Sequence, residues 1–339
     1  MLRKKGLTSL KIFVTGATGF IGRHLMRRLA QTGHECTCLV RKTSRVDELK
    51  QNGVRLVYGD VTDAESVRRG MAGCDTVLHL ANLYAMWHLR KQDFTEINVE
   101  GTRHVMEAAL ELGVKKVVYV STVAVFGRPT EYPFNEESHP GPHLFSEYAR
   151  TKALGDALAW ELARTRGLPL VSLYPGIVLG GDDDKASGEY IKTLIYRRTP
   201  TPIFTHSVET YVYVEDVVDA ILSAAEKPET IGQKYLIGRH AMNGLDYARL
   251  VCEVAGTPMP PFRFPDWFVI LAGYWLTFVS QFTRRPPWWG LSVDAGNTLY
   301  NGFYYDGSKA ERELGITYSP LRLALEEAIA SYRAREKRK

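Results

Sequence analysis

Short apolar-centred runs alternate with longer segments of helical periodicity through the first half of the chain. Runs at residues 12–14 (IFV), 34–41 (HECTCLVR), 54–58 (VRLVY), 76–80 (TVLHL), 117–121 (VVYVS) and 170–174 (LVSLY) have the length and β-branched content of buried strands. Between them, residues 20–31, 92–112 and 146–163 place apolar side chains at three- and four-residue spacing, the mark of amphipathic helices. Alternation at this rhythm predicts right-handed crossovers and an α/β fold built on a doubly wound parallel sheet. At 339 residues the chain is long enough for one large α/β domain with a smaller C-terminal lobe appended, or for two domains.

The turn between the first run and the first helix is rich in glycine. Gly16, Gly19 and Gly22 sit at three-residue spacing in TGATGFIG, residues 15–22. The first allows a sharp exit from the strand, the second lets backbone N–H groups approach a pyrophosphate, and the third lets helix and sheet pack closely. Phosphates would then lie at the positive end of a helix dipole. The second strand ends in Arg41 and Lys42, followed by Thr43 and Ser44. An acidic residue there would accept from the ribose hydroxyls of NAD; two cations and two hydroxyls suit a 2′-phosphate, so NADP is expected, with NAD as the alternative. Asp60 can accept from an adenine amino group, and either Thr62 or Asp63 can cap the following helix. The small side chains at Ala81 and Asn82 leave room for the cofactor's ribose and phosphates.

Composition changes this picture little. The 339 residues are 45% hydrophobic and 24% charged, ordinary values for a globular chain. The net charge of +5 comes from the ends. Arg3, Lys4, Lys5, Arg333, Arg335, Lys337, Arg338 and Lys339 lie there with one acid, Glu336, leaving a near-neutral body. A nucleic-acid footprint is therefore not expected. Cys36, Cys38, Cys74 and Cys252 show no metal-ligand spacing and read as reduced, packed thiols. No apolar leader stretch follows the N-terminal basic residues, so a cytoplasmic location is expected.

Candidate chemistry lies between the fifth and sixth strands. Tyr148 and Lys152 stand four apart on one predicted helix, so both side chains point to one face. An ammonium beside a phenol favours the phenolate and brings a tyrosine, with an ordinary pKa of about 10, toward acid–base work near neutrality. Ser121 and Thr122 end the fifth strand, where hydroxyls would line a cofactor cleft.

Taken together, these motifs resemble the extended short-chain dehydrogenase/reductases, also called the NAD-dependent epimerase/dehydratase family. The resemblance rests on TGATGFIG (residues 15–22), GDVTD (59–63), HLAN (79–82), NVEGT (98–102), VYVSTVAVFG (118–127), YARTK (148–152), YPGIVLG (174–180), YVYVEDV (211–217) and YYDGSKAERELGI (304–316). It implies a Rossmann domain at residues 10–180 completed by 207–238, a substrate lobe at 181–206 and 239–325, and basic tails at 1–9 and 330–339. It implies Tyr148 as general acid/base, Lys152 as its partner and Thr122 as the hydroxyl that polarises the substrate oxygen. Cofactor contacts are implied for Gly16, Thr18, Gly19, Phe20, Ile21, Gly22, Arg41, Lys42, Asp60, Val61, Leu80, Ala81, Asn82, Ser121, Tyr148, Lys152, Pro175, Gly176 and Val178. Substrate contacts fall to Tyr84, Trp87 and Thr122. A homodimer through the helices at 92–112 and 147–164 is also implied.

Departures from the family pattern narrow the substrate. Dehydratases carry Asp-Glu after the catalytic threonine; this chain has Val123 and Ala124. Sugar-nucleotide epimerases often carry Arg-Asp ahead of the tyrosine-strand motif; this chain has Val208-Glu209-Thr210 before Tyr211. The chain looks most like the branch holding dihydroflavonol reductases, 3β-hydroxysteroid dehydrogenases and hopanoid-associated sugar epimerases. The expectation is an NADP-dependent interconversion of a secondary alcohol and a ketone on a small, largely apolar substrate. Redox-neutral sugar epimerisation with retained cofactor, and a non-catalytic NADP sensor, are the alternatives. Residues 267–282, WFVILAGYWLTFVSQF, hold no charge. They read as a lid on the substrate lobe, as a patch dipping into lipid, as plain core, or as a bilayer span, for which sixteen residues are fewer than the roughly eighteen to twenty required.

Overall fold

The computed structural model describes residues 9–337. All six runs expected as strands are strands: β1 (Lys11–Thr15), β2 (Glu35–Val40), β3 (Arg55–Tyr58), β4 (Thr76–His79), β5 (Lys116–Val120) and β6 (Leu170–Pro175). The chain then adds β7 (Ile177–Leu179), β8 (Val208–Tyr213), β9 (Lys234–Ile237) and β10 (His240–Asn243). Seven strands form one parallel sheet in the order β3-β2-β1-β4-β5-β6-β9. The order reverses between β1 and β4, and such a switch point opens a crevice beyond the carboxyl ends of the strands. A second sheet, β10-β8-β7, is mixed: β8 runs antiparallel to β10 and parallel to β7.

The helices are α1 (Phe20–Leu29), α2 (Asp47–Gln51), α3 (Ala64–Met71), α4 (Lys91–Thr95), α5 (Gly101–Glu111), α6 (Glu147–Arg166), α7 (Ala186–Ile195), α8 (Val214–Glu226), α9 (Gly244–Ala255), α10 (Asp266–Thr283), α11 (Val293–Asn301) and α12 (Leu321–Glu336). Leu25 and Met26 of α1 join Val217 and Ile221 of α8 on one face of the large sheet. Val67 and Met71 of α3, Val105 and Met106 of α5 and Ala159 of α6 cover the other. Complete burial of such a side chain contributes about 1.5–3 kcal/mol, so the two layers hold the strand ends, and with them the crevice, in place. The second sheet packs with α7, α9 and α12 around Leu194, Val251, Leu325 and Ile329.

Two expectations need correction. The helix expected at 92–112 is interrupted by a π-helical turn, Glu96–Glu100, between α4 and α5. Residues 330–336, expected as tail, are the end of α12, because Ala328, Ile329 and Tyr332 continue its buried stripe and override the local charge. Arg333 there donates to the Ala255 carbonyl at 2.6 Å. Most of the other tail, residues 1–8, lies outside the described residues, as do residues 338–339.

Candidate active site

The glycine turn has the geometry its spacing predicts. Gly16 adopts φ +78°, and a Cβ there would stand 2.7 Å from both Ala81 N and Leu80 C. β1 and β4 can thus approach only across a glycine. A Cβ on Gly22 would stand 2.1 Å from Gly16 O, so α1 can sit on the turn only without one. Gly19 donates to Gly16 O at 3.0 Å and begins α1 with no side-chain cap and no acid in the first turn. The helix therefore presents its positive end to the crevice.

The crevice is a cleft of about 540 Å³. Gly16, Thr18, Gly19, Phe20, Ile21 and Gly22 line one side, and Leu80, Ala81 and Asn82 face them. Arg41 and Ser44 lie at one end with Asp60 and Val61; Lys42 is exposed and does not line it. Asp60 Oδ1 accepts from both the backbone and the hydroxyl of Thr62 at 3.0 Å, while Asp63 caps α3 by accepting from Glu65 N at 3.1 Å. Asn82 turns back to donate to Leu80 O at 3.0 Å, which keeps its side chain compact.

At the centre, Ser121 and Thr122 follow β5 into the cleft. Ser121 Oγ is buried with no hydrogen-bond partner, while Thr122 Oγ1 accepts from Ala124 N at 3.3 Å and caps a short 3₁₀ turn. Ser146 caps α6, accepting from Ala149 N at 3.1 Å, and so fixes the turn that carries Tyr148. Tyr148 lies edge-on to Tyr84, ring centres 5.0 Å apart. Burial raises its phenol pKa, and the Thr122 hydroxyl acts in the opposite direction.

Lys152 is placed differently from expectation. It shares the helix face of Tyr148 but does not line the cleft. Its Nζ donates to Tyr119 Oη at 3.0 Å and Val120 O at 3.2 Å, 4.5 Å from the centre of the Tyr119 ring. A buried ammonium must find oxygen partners, and these two lie at the end of β5 rather than beside the Tyr148 phenol. Burial lowers its pKa to about 7, against the pull of Asp156.

Two residues without an assigned role prove central to the site. Asn98, within the π-turn, accepts from Leu83 N at 2.7 Å and donates to Leu83 O at 3.2 Å and Thr151 Oγ1 at 3.1 Å. It ties the loop carrying Tyr84 to α6; its NVEGT context was visible in the sequence. Glu209, on β8, lines the cleft at 3% exposure. In the sequence it stands out only as a departure from an Arg-Asp pair. Beside it the cleft is aromatic: Tyr211 stacks on Tyr247 at 4.3 Å, and Phe204 and Phe303 add to the wall. Trp87 does not reach the cleft. Nor does α10, which packs Val269 against Phe204 and Leu291 behind the wall. Among the described residues the cleft's cations are Arg23, Arg41 and Lys185. Arg23 donates to the carbonyls of Thr18 and Asp182.

The uncapped α1 terminus, the cradle a Cβ at Gly16 would fill and the orphaned Ser121 hydroxyl together fit a bound dinucleotide. A profile of the NAD dependent epimerase/dehydratase family matches residues 12–238. The chain belongs to this family. It is accordingly an NAD(P)-dependent oxidoreductase of the extended short-chain type.

Similar family members include the 4-hydroxy-2-methyl-3-oxo-4-farnesyl-3,4-dihydroquinoline-1-oxide ketoreductase of Stigmatella aurantiaca, 31% identical across 90% of this chain and 91% of that protein. Sterol demethylase protein B of Methylococcus capsulatus is 28% identical, across 95% and 98%. Among solved structures, the crystal structure of gox2253 superposes with TM-score 0.82 at 27% identity, covering 96% of this chain and 98% of that one. UDP-glucose 4-epimerase of Thermotoga maritima, solved with UDP-glucose, shares the fold at TM-score 0.77 and 23% identity, covering 96% and 100%.

Proposed function

We propose that this protein is an NADP-dependent reductase that interconverts a ketone and a secondary alcohol on a small, largely apolar substrate. The observation that carries the reading is the juxtaposition of Thr122 and Tyr148 with an aromatic, cation-poor half of the cleft. When bound, the nicotinamide supplies or accepts hydride at the substrate carbon. Tyr148 exchanges the proton with the substrate oxygen, and Thr122 donates a hydrogen bond to that oxygen. Lys152, held by Val120 O and Tyr119, positions the helix face behind Tyr148 and would share in holding the nicotinamide ribose. Arg41 and Ser44 would hold a 2′-phosphate; Ser121, Pro175, Gly176 and Val178 would border the nicotinamide. The farnesyl-quinoline ketoreductase among its relatives supports a largely apolar ketone. Glu209 in the place of an arginine counts against a diphosphate-sugar substrate and hence against epimerisation of one. Tyr148→Phe should lower turnover at least about a thousandfold with NADPH affinity nearly unchanged, by analogy with other general acid–base groups. Surviving turnover in a ketone panel would refute the assignment.

A second surface supports contact with an anionic membrane. Trp267, Trp275, Phe278 and Phe282 on α10 are 65%, 65%, 52% and 73% exposed, and Trp288 beyond it 75%. Arg263, Arg284 and Arg285 are exposed beside them and form no ion pair among the described residues. The acid of α10, Asp266, turns inward to Thr205 N and His206. No described helix is long and apolar enough to cross a membrane. Aromatic side chains flanked by arginines suit a helix lying in the headgroup region. Homodimerisation through the exposed faces of α5 and α6 remains part of the proposal by family resemblance.

A further inference from the structure

The aromatic half of the cleft contains a carboxyl group that the proposed proton and hydride chemistry does not use. Glu209 is almost fully buried, and its Oε2 accepts from Phe303 N at 3.1 Å. Its Oε1 is buried with no partner, as is Oγ1 of Thr298, another lining residue. Side chains alternate along β8, so Glu209 shares its face with Tyr211, whose ring stacks on Tyr247 in the same wall. Opposite it on β10 stands Met242. An unpartnered polar atom in such surroundings favours a ligand that pairs with it.

We propose that Glu209 is a substrate-selecting residue: its Oε1–H donates to a neutral acceptor oxygen on the substrate, remote from the carbon that exchanges hydride. The two oxygens divide the work. Oε2 accepts from the backbone, which leaves the proton on the unpartnered Oε1 of this lining residue. Tyr84, Tyr211 and Tyr305 are among the neutral ionisable side chains around Glu209, and Lys185 is a cation of the same cleft. Burial pushes the Glu209 carboxyl up to about 8, with the Phe303 N–H acting against the rise. It is therefore mostly neutral at pH 7 and able to donate, as a carboxylate is not. A ketone, ether or hydroxyl oxygen meets a donor there. A carboxylate or diphosphate meets a buried carboxyl instead.

This inference rests on the reading of the cleft as a site for an apolar ketone, and its test separates the two. The full chain, saturated with NADP⁺ so that no hydride is transferred, is titrated calorimetrically with 5α-androstan-3-one, with 5α-androstane-3,17-dione and with a 3-oxo-5α-androstane bearing a 17-carboxylate. Turnover of each is followed in parallel. One lost hydrogen bond should weaken dione binding about tenfold in Glu209→Leu, with the mono-ketone nearly unaffected. Glu209→Gln, which keeps a donor and cannot ionise, should restore dione affinity and remove its loss above pH 8. The carboxylate probe should bind most weakly. Equal dione affinity in wild type and Glu209→Leu overturns the inference even if all three ketones are reduced; Glu209-dependent binding without reduction overturns the reductase reading alone. Infrared difference spectra of wild type minus Glu209→Gln need no ligand. They should show a neutral carboxyl stretch at pH 7, and its absence overturns the inference whatever the enzyme reduces.

Discussion

Arg41 and Glu209 mark the two ends of the cleft, and each carries a prediction at the scale of one side chain. Arg41 lines the cleft while Lys42, one residue on, points to solvent. Arg41→Asp should therefore raise KM for NADPH by about tenfold to a hundredfold and improve NADH use, as expected for loss of a charge-assisted bond to phosphate. Initial rates with both cofactors check this, and an unchanged preference sinks the NADP assignment. Glu209 predicts a pH effect on stability. Its folded pKa of about 8 exceeds the unfolded value of 4.5, so the folded state holds the proton more tightly. Its contribution is fully present below about pH 4.5 and is lost as pH rises toward 8. Glu209→Gln cannot lose a proton, so its Tm relative to wild type should climb between pH 5 and 8. A flat difference would mean that the carboxyl is ionised. Both residue types were visible in the sequence, but only Arg41 carried a role there. A strand-end cation follows a rule of local order, whereas the backbone N–H that donates to Glu209 belongs to Phe303, ninety-four residues away.

At the scale of elements, the site is assembled by the π-turn at Glu96–Glu100 and by the start of α6. Asn98 lies within the π-turn, and its side chain bonds both the Tyr84 loop and Thr151 of α6. π-turns recur at functional sites because they turn side chains away from the regular helical pattern. Asn98→Ala leaves the Leu83 N–H without its partner and should destabilise the protein by about 1–3 kcal/mol. Urea unfolding measures that loss. Because Tyr84 packs on Tyr148, kcat should fall as well, while NADPH affinity holds; an intact kcat would restrict Asn98 to stability. The helical period at 92–112 showed the helix but not the turn inside it, since a single inserted residue barely disturbs a hydrophobic stripe. Likewise the four-residue spacing of Tyr148 and Lys152 established a shared face, and the oxygens at the end of β5 set where the ammonium rests.

For the whole molecule, the large sheet provides the cofactor cleft, the second sheet supplies Glu209 and Tyr211, and α10 lies behind the substrate wall with its aromatic face outward. The protein should sediment with phosphatidylglycerol vesicles, less so in high salt, and hardly with phosphatidylcholine. Trp275→Asp with Phe278→Asp should weaken this at least about tenfold, since each removes a large apolar group from the lipid boundary. Unchanged sedimentation would dismiss the lipid reading; a loss of dimer in light scattering would assign the face to a second copy. The six strands, the glycine turn and the helix of Tyr148 were legible in local order because backbone sterics and hydrophobic period act over a few residues. The spacing of Gly16, Gly19 and Gly22 alone thus points to a dinucleotide. The path of Lys152, the withdrawal of Trp87 and α10 from the cleft, and the burial of Glu209 depend on which distant segments pack together. Such contacts leave no periodic trace in the chain, so these features emerged only when the sheets and helices were brought into register.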